Sequence, residues 1–414
     1  MIRFGIVGIG GFAAVWMQCL DALEEKGVAR VAAAVVRRPE RYTEQVAALQ
    51  SRGCSIYPSL DIMLEQAVGE IDIVGLPTGI AHHVPMAIQA MEVGYPVLVE
   101  KPLAATVQEI HMLQQAEERS GQWCAVGYQW LHSPTIRWLA DRIQSGALGR
   151  IRRACSMIGW PRDDTYYARN AWAGRLRDEQ GRWVLDGPAT NATAHYLMNL
   201  LYLVGRQQDE PGRIASVQAE LYRARNITGY DTSAIRITTE DGAQLLHLTS
   251  HTLAHSLDPV MTIVGDKGTA RWQAQSDEAT IDYENGQREH FANPAPDGNH
   301  ARPIEQAAHV VAGREKGPLC TAQMAGAHVL AINLAFESAQ GISPIPPEFV
   351  QQKIINDNST VVCVDGMEQA LQTAYDRGLL FAEAGLPWAR AGRPIEARGY
   401  ERFPGARLAA ILDG

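Results

Sequence analysis

The sequence predicts an α/β protein in which a domain built on a parallel sheet precedes a domain built on a large, mostly antiparallel open sheet. Over the first 125 residues or so, short β-rich runs alternate with amphipathic stretches, which is the pattern of βαβ units. From about residue 150, strand-like runs follow one another directly. The length of 414 residues exceeds one core of ordinary size and favours two domains, or one with a long extension.

The first predicted domain covers residues 1–125. Its strands are Val/Ile-rich runs that no charge interrupts after their first two positions, as expected of strands buried on both faces. We predict these strands over residues 3–7, 30–36, 71–76, 96–99 and 123–127. Helices lie between them, and residues 83–93 are the clearest, because apolar positions recur at helical spacing and Gly94 follows.

The second predicted domain covers residues 126–341. We predict strands over residues 151–158, 214–222, 232–238, 244–249 and 261–264, and helices over 188–203, 304–312 and 321–337. Glu240-Asp241-Gly242 and Asp266-Lys267-Gly268 are hairpin signals, which favour antiparallel pairing with one face packed and one available to another surface. Residues 342–414 form a Pro-punctuated C-terminal extension with one helix over 366–384.

Composition excludes several functional classes. The net charge is -9 and no basic block is dense enough to bind a nucleic acid. The first apolar stretch is broken by glycines, and no apolar run approaches the roughly 20 residues of a spanning helix. We therefore expect a cytoplasmic protein without a membrane partner. The six cysteines are scattered, which predicts reduced thiols and no metal site.

A glycine-rich loop follows the first strand and opens a helix, with the sequence Gly8-Ile9-Gly10-Gly11-Phe12-Ala13. In this context Gly8 permits a tight turn, and Gly10 lets the backbone approach a pyrophosphate held by the helix N-terminus. The alternative is that the glycines serve only the turn. The loop predicts a Rossmann domain that binds a nicotinamide dinucleotide through residues 8–12.

The end of the second strand bears on which dinucleotide is bound. An acidic side chain there usually holds the ribose 2′-hydroxyl of NAD, but this chain has Arg37 and Arg38. Two guanidinium groups can clamp a 2′-phosphate, so NADP is favoured, with NAD as the alternative. The competing interpretation is that both arginines are solvated surface residues.

Glu100-Lys101-Pro102 ends the strand at 96–99, at the edge of the sheet where open α/β folds bind ligands. Lys101 is placed to hydrogen-bond a substrate hydroxyl and to assist proton transfer. The alternative is a structural ion pair with Glu100. Adjacent strand residues point to opposite faces, which disfavours a simple pair.

These motifs resemble the Gfo/Idh/MocA family, which includes glucose-fructose oxidoreductase and inositol dehydrogenase. The resemblance covers most of the chain and is carried by residues 8–13, Pro77-Thr78, residues 97–102, residues 145–149 and residues 191–195. It implies a Rossmann domain, a second domain with an open antiparallel sheet, and dimers or tetramers packed through that sheet. The cofactor contacts it implies are Gly8, Ile9, Gly10, Gly11, Phe12, Pro77, Thr78, Glu100 and Lys101.

The resemblance also implies a catalytic base, His195, with Lys101 polarising the same substrate oxygen. In the family an Asp stands four residues before this His, whereas this chain has Asn191, which can orient but cannot accept a proton. On one helix, residues four apart share a face, so Asn191 and His195 are expected to point together toward the nicotinamide. Which of His82 and His83 contacts the cofactor is left open.

Aromatic and amide side chains follow the last strand of the first domain and precede the catalytic segment. They suit a sugar or polyol, although domain packing is the alternative for each. The predicted substrate-binding residues are Tyr128, Trp130, Tyr167, Asn170 and Trp172. The predicted function is an NAD(P)-dependent oxidoreductase acting on a sugar, inositol or related hydroxy compound. The alternatives are an NAD-retaining glycosidase or epimerase, and a non-catalytic dinucleotide-sensing regulator.

Overall fold

The computed structural model of the chain describes residues 1–356 and 359–412. These residues divide into two compact units. The first unit contains residues 1–104, 109–133 and 295–326, and the second contains residues 105–108, 134–294 and 327 onward. Residues 295–326, which the sequence analysis placed in the second domain, therefore belong to the first unit. The C-terminal extension is part of the second unit.

The first unit is built on a parallel sheet, six-stranded over the described residues, with strand order β3-β2-β1-β4-β5-β6. Its strands are β1 (Ile2–Val7), β2 (Ala29–Val35), β3 (Ser55–Tyr57), β4 (Ile73–Leu76), β5 (Val97–Val99) and β6 (Cys124–Val126). The order reverses between β1 and β4, which is the arrangement of a Rossmann sheet. All five predicted strands are confirmed, and β3 is additional.

Helices surround this sheet. They are α1 (Ala13–Glu25), α2 (Thr43–Ser51), α3 (Leu60–Gln66), α4 (Ile80–Glu92), most of α5 (Val107–Ser120), and α9 (Arg302–Val311). The predicted helix at 83–93 begins three residues earlier, at Ile80. Helix α9 packs into the same core as α1, because Ile304 is buried in one apolar cluster with Trp16 and Leu20.

The second unit is built on a mixed sheet whose strand order is β14-β13-β12-β11-β7-β10-β9-β8-β15, with β18 also paired to β8. Its strands are β7 (Ile151–Gly159), β8 (Ile214–Arg223), β9 (Thr232–Thr239), β10 (Gln244–Ser250), β11 (Leu257–Gly265), β12 (Gly268–Gln273), β13 (Glu278–Tyr283), β14 (Arg288–Ala292), β15 (Ser343–Pro344) and β18 (Ile395–Glu396). The pairs β7–β10 and β8–β15 are parallel, and the other neighbours are antiparallel. The prediction of a large, mostly antiparallel sheet is confirmed, as are both hairpins.

The remaining elements of the second unit include a separate β-hairpin of β16 (Val350–Asn356) and β17 (Ser359–Val364). The helices are α6 (Pro134–Gln144), α7 (Asp164–Ala168), α8 (Ala194–Leu203), most of α10 (Ala322–Ala339), α11 (Met367–Arg377) and α12 (Ala406–Leu412). All ten residues of α8 are buried, as expected of a helix that is apolar on every side.

The C-terminal extension covers one face of the second sheet over β7 to β10. Met157 of β7 and Leu248 of β10 pack in one apolar cluster with Leu371 of α11 and with Phe381 and Trp388, which follow α11. This part of the face that the sequence analysis expected to be available to another surface is therefore covered by the chain itself. Helix α11 ends at Arg377, short of the predicted residue 384, because Gly378 adopts a left-handed conformation with φ of 68°.

Within the part of the chain that the structure describes, no helix has the length and apolar character needed to cross a bilayer.

Candidate functional site

The glycine-rich loop joins the end of β1 to the start of α1. Gly8 and Gly11 have φ of 92° and 60°, in the left-handed region that favours glycine. The Gly8 N–H donates to the Val35 carbonyl at 3.0 Å, which ties the loop to β2. A Cβ on Gly8 would lie 4.0 Å from the Cβ of Ala13, so helix and strand approach closely. The strand–loop–helix context on which the phosphate-binding hypothesis depends is present.

A cleft of about 390 Å³ lies at this loop in the first unit. It is lined by residues that follow β1, β2 and β4, which is the switch point where open α/β sheets bind ligands. Seven predicted cofactor residues line it, namely Gly8, Ile9, Gly10, Arg37, Arg38, Pro77 and Thr78. Gly11, Phe12, Glu100 and Lys101 are not among its lining residues.

Tyr42 also lines the cleft, although the sequence analysis did not single it out. A Cβ built on Gly10 would lie 2.3 Å from the Tyr42 hydroxyl oxygen, so the tyrosine lies directly against the loop. Only a residue without a side chain at position 10 leaves room for this ring. The loop sequence alone does not reveal this, because Tyr42 lies 32 residues further along the chain.

A carboxylate, Asp61, lines the cleft near the two arginines. It lies in the first turn of α3, which Ser59 caps by accepting the Ile62 N–H, and it accepts a hydrogen bond from Gln89. Arg37 and Arg38 are both exposed. The sequence analysis considered only the end of β2 and so missed this acid.

Glu100 is buried away from the cleft lining. Its carboxylate accepts a hydrogen bond from the Trp16 indole at 3.0 Å. Burial raises the pKa of Glu100 to about 7, while the charge of Lys101 and the Trp16 hydrogen bond lower it in part. A Cβ on Gly127 would lie 3.2 Å from the same carboxylate. Glu100 therefore links α1 to the strand ends, and its contact with the cofactor stays a prediction.

His83 lies in the first turn of α4 and is 1 % exposed. Its ring nitrogens lie 2.9 Å from the Thr78 carbonyl and 2.8 Å from the Pro102 carbonyl. His83 therefore connects the loop after β4 to the loop after β5. His82, in contrast, is among the residues that line the cleft.

Lys101 follows β5 and is half-buried. His300 comes from the loop before α9 in the same unit. Its pKa is lowered mainly by burial and further by the nearby charge of Lys101. The His300 ring meets the 44 % exposed Phe12 ring edge-on, with centroids 6.2 Å apart. Sequence reasoning missed His300, because no motif surrounds it and it joins this unit from distant sequence.

The predicted catalytic segment belongs to the second unit. The prediction of one helix over residues 188–203 is wrong at Thr193, because Pro188–Ala192 form a π-helical turn and α8 begins at Ala194. In this turn the Thr193 N–H donates to the Pro188 carbonyl, five residues back, at 2.8 Å. The spacing of Asn191 and His195 therefore does not imply the shared face of a regular helix, and π-turns of this kind are frequent at functional sites.

A carboxylate that the sequence analysis missed lies beside Asn191. The Asn191 amide donates to Asp186 at 2.9 Å, and Asp186 also accepts the Gly174 N–H at 2.6 Å. Asp186 is 2 % exposed and His195 is 7 % exposed. A buried acid is thus present five residues before Asn191, and its hydrogen bond fixes the orientation of the Asn191 amide.

The predicted substrate-binding residues differ in their surroundings. Tyr128 is 0 % exposed in the first unit, and its substrate contact stays a prediction. Trp130 is half-buried in the short helical turn Gln129–His132. The Asn170 side chain accepts the N–H groups of Trp172 and Ala173 at 3.0 and 2.8 Å, which is a structural turn.

Tyr167 and Trp172 are half-buried and lie among arginines. The Tyr167 hydroxyl lies 3.2 Å from Nδ1 of His251. The Arg225 guanidinium lies 4.9 Å from the Tyr167 ring centroid, and that of Arg169 lies 5.4 Å from the Trp172 centroid. These two aromatic residues therefore belong to a cationic part of the second unit.

Comparison with known proteins places this geometry in a family. Residues 2–128 match the model described as "Oxidoreductase family, NAD-binding Rossmann fold", and residues 136–271 match the GFO/IDH/MocA C-terminal domain. Together these segments make up well over half of the chain. The predicted Rossmann domain and the resemblance are confirmed.

Two curated relatives match parts of the chain. A dTDP-3,4-didehydro-2,6-dideoxy-alpha-D-glucose 3-reductase from Actinomadura kijaniata is 29% identical over 183 residues, which are 43% of this chain and 52% of that protein. Glycosyl hydrolase family 109 protein 1 from Shewanella sp. (strain ANA-3) is 33% identical over 156 residues, 36% of this chain and 33% of that protein. The chain thus spans about half and about a third of these relatives.

A solved structure matches over a greater length. The WlbA dehydrogenase from Bordetella pertussis, in complex with NADH and UDP-GlcNAcA, aligns with a TM-score of 0.68 and 25% identity, covering 82% of this chain and 96% of that one. Both matched family models and this structural neighbour agree with the loop, the switch-point cleft and the mixed second sheet. The chain therefore belongs to the GFO/IDH/MocA family of oxidoreductases.

Proposed function

We propose that the protein is an NAD(P)-dependent oxidoreductase that transfers a hydride between the nicotinamide and a hydroxyl-bearing carbon of a sugar, inositol or related compound. The observation that carries this proposal is the cleft at the switch point of the first sheet, with residues of the glycine-rich loop in its lining. The nicotinamide supplies the hydride chemistry when bound. The residues of the chain bind, orient and move protons.

Lys101 and His195 carry the proposed proton chemistry. Lys101 hydrogen-bonds the substrate oxygen and polarises it, and His195 takes the hydroxyl proton as the hydride leaves. Support for these roles comes from the resemblance, which places Lys101 in the Glu-Lys-Pro element and His195 in the catalytic segment. Asn191 orients rather than accepts a proton, and the Asp186 hydrogen bond supports this role.

The main test supplies a panel of polyols and sugars as substrates and measures turnover by absorbance at the nicotinamide band. Lys101→Ala and His195→Ala should each lower the rate by about a hundredfold or more, because general acid–base catalysis contributes about that much. Binding of the dinucleotide, titrated separately, should persist in His195→Ala. Normal turnover in either variant would contradict the assignment.

The cofactor preference is a separate part of the proposal. Arg37 and Arg38 in the cleft lining support NADP, whereas Asp61 in the same lining supports NAD, because a carboxylate repels a 2′-phosphate and binds a ribose hydroxyl. We propose NADP of the two, because the cleft lining contains two guanidinium groups and one carboxylate.

Fluorescence titrations with NADPH and NADH test the preference. Arg37→Ala or Arg38→Ala should weaken NADPH by about tenfold or more and leave NADH nearly unchanged, because a charge-assisted contact to the 2′-phosphate is lost. Arg41→Ala is the matched control, since Arg41 is exposed nearby but does not line the cleft. Equal affinities for NADPH and NADH in the unaltered protein would refute the NADP preference.

A second candidate function is supported by the relative named a glycosyl hydrolase family 109 protein. In that case the dinucleotide stays bound and no net reduction accumulates. A chromogenic glycoside distinguishes the two functions, because release of the chromophore without a change at the nicotinamide band indicates the hydrolase. A dinucleotide-sensing regulator would bind the dinucleotide and turn over neither class of substrate.

A further inference from the structure

A cluster of arginines lies in the second unit, with two members on the chain between β7 and the catalytic segment and one after β8. We define the arginine cluster as Arg162, Arg169 and Arg225. The guanidinium carbons of Arg162 and Arg169 lie 4.7 and 3.6 Å from the centroid of the same Tyr166 ring. Stacking on an aromatic face leaves the edge of a guanidinium able to bind in its plane, and Nη1 of Arg169 donates to the Tyr166 carbonyl at 2.6 Å.

The carboxylates near this cluster are already engaged. Arg225 pairs with Asp164 and donates to the Arg162 carbonyl at 3.2 Å. The Asp186 carboxylate lies 3.9 Å from Arg169, and its oxygens accept the N–H groups of Gly174 and Asn191 at much shorter distances. Arg162, in contrast, makes no ion pair among the described residues.

Buried donors of this cluster also lack acceptors among the described residues. Nε of Arg162 is buried without a hydrogen-bond partner, and so is Nε2 of His251, a residue that is only 3 % exposed. Burial, and then the charges of the three arginines, lower the pKa of His251 well below its usual value. The imidazole is thus neutral, and Nε2 carries the hydrogen when the Tyr167 hydroxyl donates to Nδ1.

Buried donors without acceptors are rare in folded proteins, and each calls for an explanation. Here the two donors come from separate elements, since Arg162 follows β7 and His251 follows β10. A shared anion supplies both missing acceptors and a negative partner for Arg162, and Arg169 stacks on the same Tyr166 ring as Arg162. Guanidinium groups bind carboxylates and phosphates with matched, charge-assisted hydrogen bonds.

We propose that Arg162 and Arg169 bind an anionic group of the substrate, a carboxylate or a phosphate, so that the protein acts on an acidic sugar derivative rather than on a neutral polyol. This inference rests on the proposed function, because it names the class of its substrate. The anionic group lies beside Asp186, which holds Asn191. Arg162 and Arg169 then determine which substrate binds, whereas Lys101 and His195 carry the proposed proton chemistry.

Calorimetric titration of the full chain with matched pairs of probes tests the proposal. Galacturonate against galactose tests a carboxylate, and glucose 6-phosphate against glucose tests a phosphate. At least one acidic probe should bind about tenfold to a hundredfold more tightly than its neutral counterpart, as one or two charge-assisted hydrogen bonds allow. The pair that shows the preference identifies whether the bound anionic group is a carboxylate or a phosphate.

Arg162→Gln and Arg169→Gln should each bring this affinity ratio toward one without weakening the neutral sugar. Arg175→Gln, at an exposed arginine of the same segment, is the matched control and should leave the ratio unchanged. Arg169→Lys keeps the charge without the planar fork and should keep part of the preference. Thermal unfolding of each variant separates a binding effect from a loss of fold.

If no acidic probe binds more tightly than its neutral partner, or if the preference survives in both glutamine variants, the inference is overturned. Because binding is measured without turnover, the proposed function is tested separately by absorbance at the nicotinamide band. Tight binding of an acidic sugar with no hydride transfer would contradict the proposed function alone. Turnover of neutral and acidic sugars with equal kcat/KM would contradict the anionic subsite alone.

Discussion

The buried carboxyl group of Glu100 is expected to make the protein less stable as the pH rises. Burial raises the pKa of Glu100 from 4.5 to about 7, against the smaller opposing effects of the Lys101 charge and the Trp16 hydrogen bond. The unfolded chain therefore releases this proton at lower pH than the folded chain. The stabilising contribution of the protonated group is complete below about pH 4.5 and is lost as the pH rises through about 7.

The size of this effect follows from the shift. A change from 4.5 to about 7 corresponds to about 3 kcal/mol at most. Glu100→Gln removes the titration but keeps the shape and an oxygen that can accept the Trp16 N–H. The variant should match the unaltered protein near the lower end of this range. At higher pH its free energy of unfolding should exceed that of the unaltered protein by up to about 3 kcal/mol.

Urea unfolding of both proteins from about pH 5 to about pH 8 measures this difference. Comparing the two chains at each pH is necessary, because burial also raises the pKa of Glu220 to about 7 and that of Asp231 to about 6. Glu118→Gln makes the same exchange on the exposed side of α5 and controls for the loss of one carboxylate. A stability difference that stays constant across the pH range would refute the reasoning.

Three further substitutions test other contacts. Gly10→Ala should weaken NADH binding by about tenfold or more, because the new Cβ would lie 2.3 Å from the Tyr42 hydroxyl, and adding Tyr42→Ala should restore most of the affinity. If the double variant binds no better, the contact is not the cause. Asp186→Ala should lower turnover by about tenfold or more with NADH binding unchanged, since it removes the acceptor that orients Asn191; unchanged turnover would count against that role. Leu371→Ala should cost about 2–5 kcal/mol in chemical unfolding, because this fully buried side chain packs under the sheet, and a loss far below that range would show that the cover contributes little.

Strands of the first unit could be predicted because their pattern is local. Each of the five predicted runs is mostly apolar, with charge confined to Arg3, Arg30 and Asp72 at or beside a first position, as burial on both faces requires. Strand β3 (Ser55–Tyr57) buries only its last residue, so it lacks the uninterrupted apolar run of the other strands. Strands β12 and β13 alternate buried residues with polar ones, and β14 has no buried residue at all, so none of the three shows such a run.

The π-helical turn in the catalytic segment could not be predicted, because a distant residue stabilises it. The Tyr230 hydroxyl accepts the Thr190 N–H at 2.9 Å. A Cβ built on Gly187 would lie 2.3 Å from Cε1 of the Tyr230 ring. Both contacts join residues some 40 positions apart. The local sequence, taken alone, favours a continuous helix.

The candidate site was predicted in part for the same reason. The glycine-rich loop has a local signature, so its residues and the arginines after β2 were found. Asp186 and His300 have no such signature, since their importance depends on Asn191 and Lys101 lying beside them in the folded units. The complete burial of Tyr128 was not foreseen, because its position after β6 does not reveal it.

The C-terminal segment that covers the second sheet has a consequence for how the protein responds to dilution. When a sheet face is sealed by a second subunit, its protection depends on protein concentration and is lost as the subunits separate. Here Leu371, Phe381 and Trp388 belong to the same chain as the strands they cover. The burial of these apolar residues therefore does not depend on protein concentration.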